Sequence, residues 1–393
     1  MNSRADFPSI TAELEPSLIR GGPFYRAQQA AKLIRPNEWN YGRRLAWALL
    51  VGWLPLILIT AISSPGAVVS VLTDYRVHSR MLIAVPVLLL GQFLMESRFR
   101  TVIKHITEAD LLGASDIARM RNYIARLLRL RDSVLPEAAI LLLVILHTAV
   151  SYKALVDATP WLAYGVEPDL HLTAAGWYAV LVSATIFQFL LGLGLWKWLL
   201  WTVFACNLSR LDLKVVATHP DGHGGLGFLG LTPLAFTPIS FAAATAIGAT
   251  WRHEIIHQHA NLMTFKLSAI VLLVLVGVVA FGPLAVFVPR LAALRRRGLL
   301  EYGTLGQIHS SDFHQKWILG RSGHEGEFLT ALETSTLADY GRCYEKIEEM
   351  SPFPADRGAL ISLGASLVVP MLPVVLAVVP LFVVVKELFK ALR

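Results

Sequence analysis

Five stretches of this chain run for more than 20 residues without an Asp, Glu, Lys or Arg: 45–73, 170–196, 222–251, 267–289 and 358–385. A helix needs about 20 residues to cross the roughly 30 Å hydrocarbon slab of a bilayer, at a rise of 1.5 Å per residue. In hydrocarbon the backbone must satisfy its own hydrogen bonds, so apolar runs of this length are helices. Two shorter runs, 81–95 and 138–152, are flanked by Arg80 and Glu96, and by Glu137 and Lys153. Long cationic side chains can snorkel and extend such runs to a full crossing. Only 16% of residues are charged, against about 25% in soluble domains. The sequence therefore predicts an all-α integral membrane protein of six to seven transmembrane helices with a small cytoplasmic helical layer.

The placement of charge sets the expected orientation. Segments 1–44, 97–133 and 291–357 are rich in Lys and Arg, whereas 66–80, 153–173 and 252–266 are poor in them. The positive-inside rule puts the first group and 207–228 in the cytoplasm. Seven crossings would leave Lys386, Lys390 and Arg393 outside. Either the last run re-enters and returns, or three terminal charges do not set orientation; the second is preferred. The polar start lacks the early apolar core of a cleavable signal peptide. Cys206 and Cys343 fall on the cytoplasmic side, where thiols stay reduced, and no disulfide is expected. The organisation read from the sequence is a cytoplasmic segment 1–44, a bundle 45–296 carrying the basic loop 97–133, a cytoplasmic helical segment 297–357, and a proline-kinked last segment 358–393 with Pro370, Pro373 and Pro380.

Smaller features refine this. Trp39, Tyr41, Trp47 and Trp53 suit an interfacial belt, and Pro55 a kink. Within 115–131, Ile117, Met120, Ile124, Leu127 and Leu128 recur at helical spacing among Arg119, Arg121, Arg126 and Arg129. Ser115 reads as its N-cap. This basic amphipathic helix either lies on anionic lipid or packs against its own bundle. Trp196, Trp198 and Trp201 read as a second belt with Lys197 snorkelling, and Gly282–Pro283 as a kink. Phe328, Leu329, Leu332, Thr336 and Leu337 suggest a helix, as does 337–350.

The sharpest chemical string is His253-Glu254-Ile255-Ile256-His257. On a helix, positions i and i+4 share a face, so two imidazoles can hold zinc beside a glutamate base. His171, Glu167, Asp169 and His78 are third-ligand candidates on the same predicted face; His259 is close in sequence but, two residues on, points elsewhere if the helix continues. Arg252 next to the motif opposes a divalent cation. The string His219-Pro220-Asp221-Gly222 looks similar to the Asn-Pro-Asp-Gly of intramembrane zinc proteases, but it precedes the histidines and falls on the opposite side. In the Gly-rich loop 218–230, His219, Asp221 and His223 are binding candidates for a cytoplasmic vestibule; the alternative is a tight turn held by Asp221. His147 is an ionisable group at membrane depth and thus a functional candidate. Glu96 and Glu137 are expected to pair with Arg98, Arg100 or Arg131.

The string His219-Pro220-Asp221-x-x-Gly224-Gly225-Leu226-Gly227-Phe228-Leu229 resembles one in a group of bacterial polytopic inner-membrane proteins. Arg131-Asp132-Ser133, Lys316-Trp317, and Leu337-Ala338-Asp339 ahead of Met350-x-x-Phe353 extend the likeness. The resemblance implies a bacterial inner-membrane protein built as one unit and supplies no activity. The leading functional expectation is transport or channel activity for an ion or small solute. The alternatives are a membrane-embedded zinc hydrolase and a non-catalytic scaffold or sensor. Expected partners are the bilayer, anionic lipid at 115–131 and further copies of the chain, with no nucleic acid. No cofactor is expected; zinc is the one the histidines would admit.

Overall fold

The computed structural model describes residues 17–35, 38–150, 161–165, 171–319 and 331–378, with the side chains of the last segment described from 338. Glu167, Asp169, Phe328, Leu329, Pro380 and the tail charges lie outside the described residues. The described residues are all-α apart from one short antiparallel pair, Ala163–Tyr164 with His171–Leu172. Six helical stretches are long and apolar enough to cross a membrane: Tyr41–Ser63, Tyr75–Glu108, Ala174–Leu208, Gly227–His257, Leu262–Ala285 and Arg357–Leu376. A seventh is added if the basic helix Ala114–Asp132 and the apolar helix Val134–Val150, bent by 47° at Ser133, count as one span. Counting that pair as the third span, the others are the first, second, fourth, fifth, sixth and last.

Several local expectations are corrected. The 45–73 run is not one helix: the first span ends at Ser63, and 65–73 forms two short helices. The basic helix is capped by Gly113, so Ser115 sits inside its first turn. Its Met120, Ile124 and Leu127 are buried in the core shared with the fourth span, so this face packs on the bundle, one of the two arrangements expected, while Leu130 stays 49% exposed. The second aromatic belt is interior: Trp198 and Trp201 are buried, and Phe99 stacks on Trp201 at 4.2 Å. Lys197 is only 7% exposed and does not snorkel. After the sixth span the chain breaks at Val286–Phe287 and continues as helix Val288–Phe313, which packs against helix Ala331–Glu348. The last span runs through Pro370 and Pro373 as one helix.

The fifth span is the centre of the bundle. It carries small residues at Ala242, Ala244, Thr245, Gly248 and Ala249, all buried. These admit the last span so closely that a Cβ on Gly248 would lie 3.2 Å from the Pro370 carbonyl. Ser240 and Ser366 share a buried 2.6 Å hydrogen bond across the same seam. Small interfacial residues and interhelical hydroxyls serve helices in lipid, where packing rather than water exclusion holds them together.

Prolines inside the spans would strand carbonyls, because each deletes the bond to residue i−4. Four carbonyls at this position accept from a side chain, although in the 3-10 segment Gly227–Phe236 carbonyls bond three residues on and Leu234 O also accepts from Thr237 N. Tyr178 Oη donates to Val51 O, four residues before Pro55, where the first span is interrupted at Trp53. Trp198 Nε1 donates to Val279 O at 2.9 Å, four residues before Pro283. In the repeated Thr-Pro pairs, Thr232 Oγ1 donates to Leu229 O and Thr237 Oγ1 to Leu234 O, each at 2.8 Å. Two donors come from a neighbouring span and two from the residue before the proline.

The loops collect at two ends. One end joins Lys214 to Asp110 and Arg290 to Asp212, each at 2.8 Å, and Ser351 N to Gly222 O at 3.0 Å. The other joins Trp161 to Asp74 and places Arg252 over the Tyr75 ring. This is the partition that the Lys and Arg counts imply.

Two tests follow from this architecture. Trp198→Phe leaves Val279 O without its donor and should cost ~1–3 kcal/mol. Adding Pro283→Ala restores the helical N–H, so the double variant should recover much of the loss in thermal unfolding; additive losses would refute the pairing. For orientation, Ser115 and Tyr164 are exposed at opposite ends, whereas Ala163 is buried. In a cysteine-free chain on intact cells, an impermeant thiol reagent should label Tyr164→Cys and not Ser115→Cys. The reverse pattern would invert the assignment.

Candidate functional site

At the end formed by 66–80, 161–165, 171–172 and 252–265, two adjoining cavities of about 70 Å³ each share a wall made by Asp74 and Arg76. Asp74 caps the helix Tyr75–His78, accepting from Arg76 N at 2.9 Å. Its Oδ2 also pairs with Arg76 Nη2 at 3.1 Å and accepts from buried Trp161 Nε1 at 3.1 Å. Burial opposes ionisation of this carboxyl, but the Arg76 bonds and charge and the Trp161 bond outweigh it. They hold its pKa below the usual carboxylate range. Asp74 is thus a fixed anion that neutralises one arginine.

The larger-walled cavity is built by two π-helical turns, Ser79–Ala84 and Ala179–Ser183, in the second and fourth spans. Such turns interrupt an α-helix locally and recur at functional sites. Its lining combines apolar residues, Leu56, Met81, Leu162 and Val180 among them, with Arg76, Arg80, Thr148 and Ser183. Among the described residues Arg80 makes no hydrogen bond or ion pair. Thr148 Oγ1 is buried without a partner.

The second cavity is polar: Ser70, Thr73, Asp74, Tyr75, Arg76, Arg252, His253 and His257 line it. The Arg252 guanidinium stands 4.8 Å over the Tyr75 ring. His253 and His257 lie side by side, ring centroids 4.5 Å apart, as their i, i+4 spacing requires. Among the described residues no three His, Cys, Asp or Glu side chains gather as a metal cage. His171 sits on the strand pair beside Tyr164, ring centroids 5.8 Å apart, and lines neither cavity. His147 is on the exposed side of its helix, next to the inward Thr148.

The Gly-rich loop lies at the opposite end of the bundle. Asp221 Oδ1 accepts from His223 N at 2.8 Å and Gly225 N at 3.1 Å, and Oδ2 from Gly227 N at 2.8 Å. His219 Nδ1 is 2.8 Å from Oδ1. His223 Nδ1 is 3.1 Å from Ser351 O. His219, Asp221 and His223 are therefore brought together around a turn, and the carboxylate is occupied by the loop's own N–H groups. Gly225 adopts φ +93°, a conformation suited to glycine.

A third polar group was only partly legible. At the Gly-rich-loop end, Glu96 pairs with Arg100 at 2.8 Å, as its position suggested. Glu137 instead accepts from Phe24 N at 2.7 Å, and Asp132 from Gly22 N at 3.0 Å. Arg44, 4% exposed, donates to Gln92 at 2.7 Å. Lys197 faces Glu137 and Glu96 as well as Arg44 and Arg131.

No family model, curated protein or solved structure matches this chain.

Burial opposes ionisation of Asp221, and the three N–H bonds and His219 outweigh it, so its pKa is lowered. A depressed carboxyl stabilises the fold above its unfolded value of about 4, and that contribution fades as pH falls through the folded pKa. Asp221→Asn should therefore cost ~1–3 kcal/mol near neutrality, with the gap to wild type closing below about pH 4. Solute uptake should be unchanged. Lost uptake with wild-type melting would instead make the loop a vestibule. Gly225→Val should be destabilised by ~1–3 kcal/mol through its backbone; melting like wild type would contradict the turn account.

Proposed function

We propose that this polytopic membrane protein is of the transport type and takes a small organic anion into the cavity beside Asp74 and Arg76. The observation that carries the reading is Arg80, a cation in a span and a cavity wall that makes no hydrogen bond or salt bridge among the described residues and shares Asp74 with Arg76, near an unpartnered Thr148 hydroxyl. An ionisable side chain at membrane depth is costly and is retained where it meets a partner. Asp74 is bonded to Arg76 and reaches Arg80 only through space, so one carboxylate stands against two arginines. Arg80 and Arg252 then leave the paired cavities positive, and Leu56, Met81 and Val180 suit an apolar body on the ligand. The positive-inside rule assigns this end to the outside, so the solute enters from there.

His253 and His257 support a competing metal reading, because their rings stand together in the polar cavity. Arg76 and Arg252 in the same lining oppose a divalent cation and favour an anion, so the anion reading is preferred.

The test is binding and uptake of a panel of labelled small carboxylates and phosphates by purified protein and by liposomes carrying it. At least one should bind and accumulate, and Arg80→Gln should weaken binding about tenfold or more with unchanged melting, as for a lost charge-assisted hydrogen bond. Binding without flux would move the reading to a sensor. No binding across the panel, or binding indifferent to Arg80→Gln, would sink it.

A further inference from the structure

A third cavity, of about 190 Å³, opens between the first, second and fourth spans under the short N-terminal helix Pro23–Ala30. It is separate from the anion cavities and lies toward the Gly-rich-loop end. Its walls are apolar: Phe24, Trp47, Ala48, Leu89, Phe189 and Leu190. Its rim faces the surroundings of the bundle, since Trp47 is 52% exposed. Phe24 packs edge-on against Phe189 at 5.2 Å and closes one side.

Two polar side chains line this apolar space, and both are buried. Arg44 is 4% exposed; its Nη2 donates to Gln92 at 2.7 Å, but its Nε is buried without a partner. Among the described residues it forms no ion pair. Gln28 is 8% exposed, and its Oε1 is also without a partner. The cavity lining therefore includes a cation without a carboxylate partner, its guanidinium 5.7 Å over the Trp39 ring, and two buried polar atoms, Arg44 Nε and Gln28 Oε1, without hydrogen-bond partners, at the level of Trp39, Tyr41 and Trp47. That is the level at which aromatic rings mark the boundary between headgroups and chains.

A ligand that answers both atoms and fills the space must carry an anionic oxygen, a hydrogen-bond donor close to it, and an apolar chain. A glycerophospholipid with an anionic, hydroxyl-bearing headgroup has all three, and it arrives from the solvent that the exposed Trp47 rim already faces. We infer that this cavity binds one anionic phospholipid, its phosphate on Arg44, its headgroup hydroxyl on Gln28, and one acyl chain along Trp47, Ala48 and Leu190. The first two spans and the N-terminal helix would be joined through the lipid as well as through protein contacts.

The experiment places the full chain in nanodiscs of phosphatidylcholine with a minority of phosphatidylglycerol and counts retained lipid by native mass spectrometry after release into detergent. Wild type should retain one phosphatidylglycerol per chain, enriched about tenfold or more over phosphatidylcholine. Added phosphatidylglycerol should raise its melting temperature, and inorganic phosphate should not displace the lipid. Arg44→Gln should abolish the headgroup preference. Ala48→Phe, which fills the cavity and leaves Arg44 in place, should abolish retention. Equal retention of both lipids by wild type would overturn the inference, and that reading needs no variant to fold. Displacement by inorganic phosphate would reduce the site to a simple anion pocket and overturn it too. Undiminished preference in a folded Ala48→Phe chain would do the same by placing the lipid elsewhere.

Discussion

Every carbonyl in the bundle must find a donor without help from water, and this requirement organises more of the structure than apolar packing does. Proline is the sharpest case, because it breaks the account at a known position. Val51, Leu229, Leu234 and Val279 each lie four residues before a proline, and each receives a side-chain donor. The two that come from elsewhere, Tyr178 and Trp198, tie the fourth span to the first and sixth. A bond that repairs one helix therefore also fixes its neighbour, and the fourth span becomes a strut between two proline-interrupted ones. In lipid such bonds matter because the alternative is a stranded polar group.

The same economy explains the contrast between the two ends. At the Gly-rich-loop end the carboxylates are consumed by the fold, Asp221 by three N–H groups, Glu137 by Phe24 and Asp132 by Gly22, while cationic and amide atoms such as Arg44 Nε and Gln28 Oε1 go without partners. At the other end Asp74 is also consumed, but Arg80 and Thr148 are not. Function is argued from that residue of unmet demand, since satisfied polar groups have done their part in folding.

Much of the architecture was legible because hydrophobic length and charge placement act over whole segments. The apolar runs gave the crossings, and the Lys and Arg counts separated the loops into the two groups that the structure gathers at opposite ends. What stayed hidden depends on which neighbour arrives. Trp198 and Lys197 read as an interfacial belt because sequence shows their type and not their facing; Phe99, Val279 and the charges around Lys197 turn them inward. The i, i+4 spacing of His253 and His257 correctly placed the rings together, but Asp74, Arg76 and Arg252, which set the charge of that cleft, come partly from another span. Arg80 read as a boundary marker because nothing local distinguishes an arginine at a membrane edge from one in a cavity wall. The two π-helical turns that shape the cavity carry no comparable signature.

The docking of the Gly-rich loop on Ser351 bears on the order in which the chain assembles. His223 and Ser351 are 128 positions apart, and Gly222 O waits for the same residue. At synthesis rates of about 5–20 residues per second, the loop stands unclosed for roughly 6–25 s after it emerges. The last span, which covers the small-residue face of the fifth, arrives later still. The centre of the finished bundle is thus the part completed last. Until then the fifth span must shelter its narrow face against lipid, an insertase or another copy, so biogenesis of this protein has a built-in pause at its core.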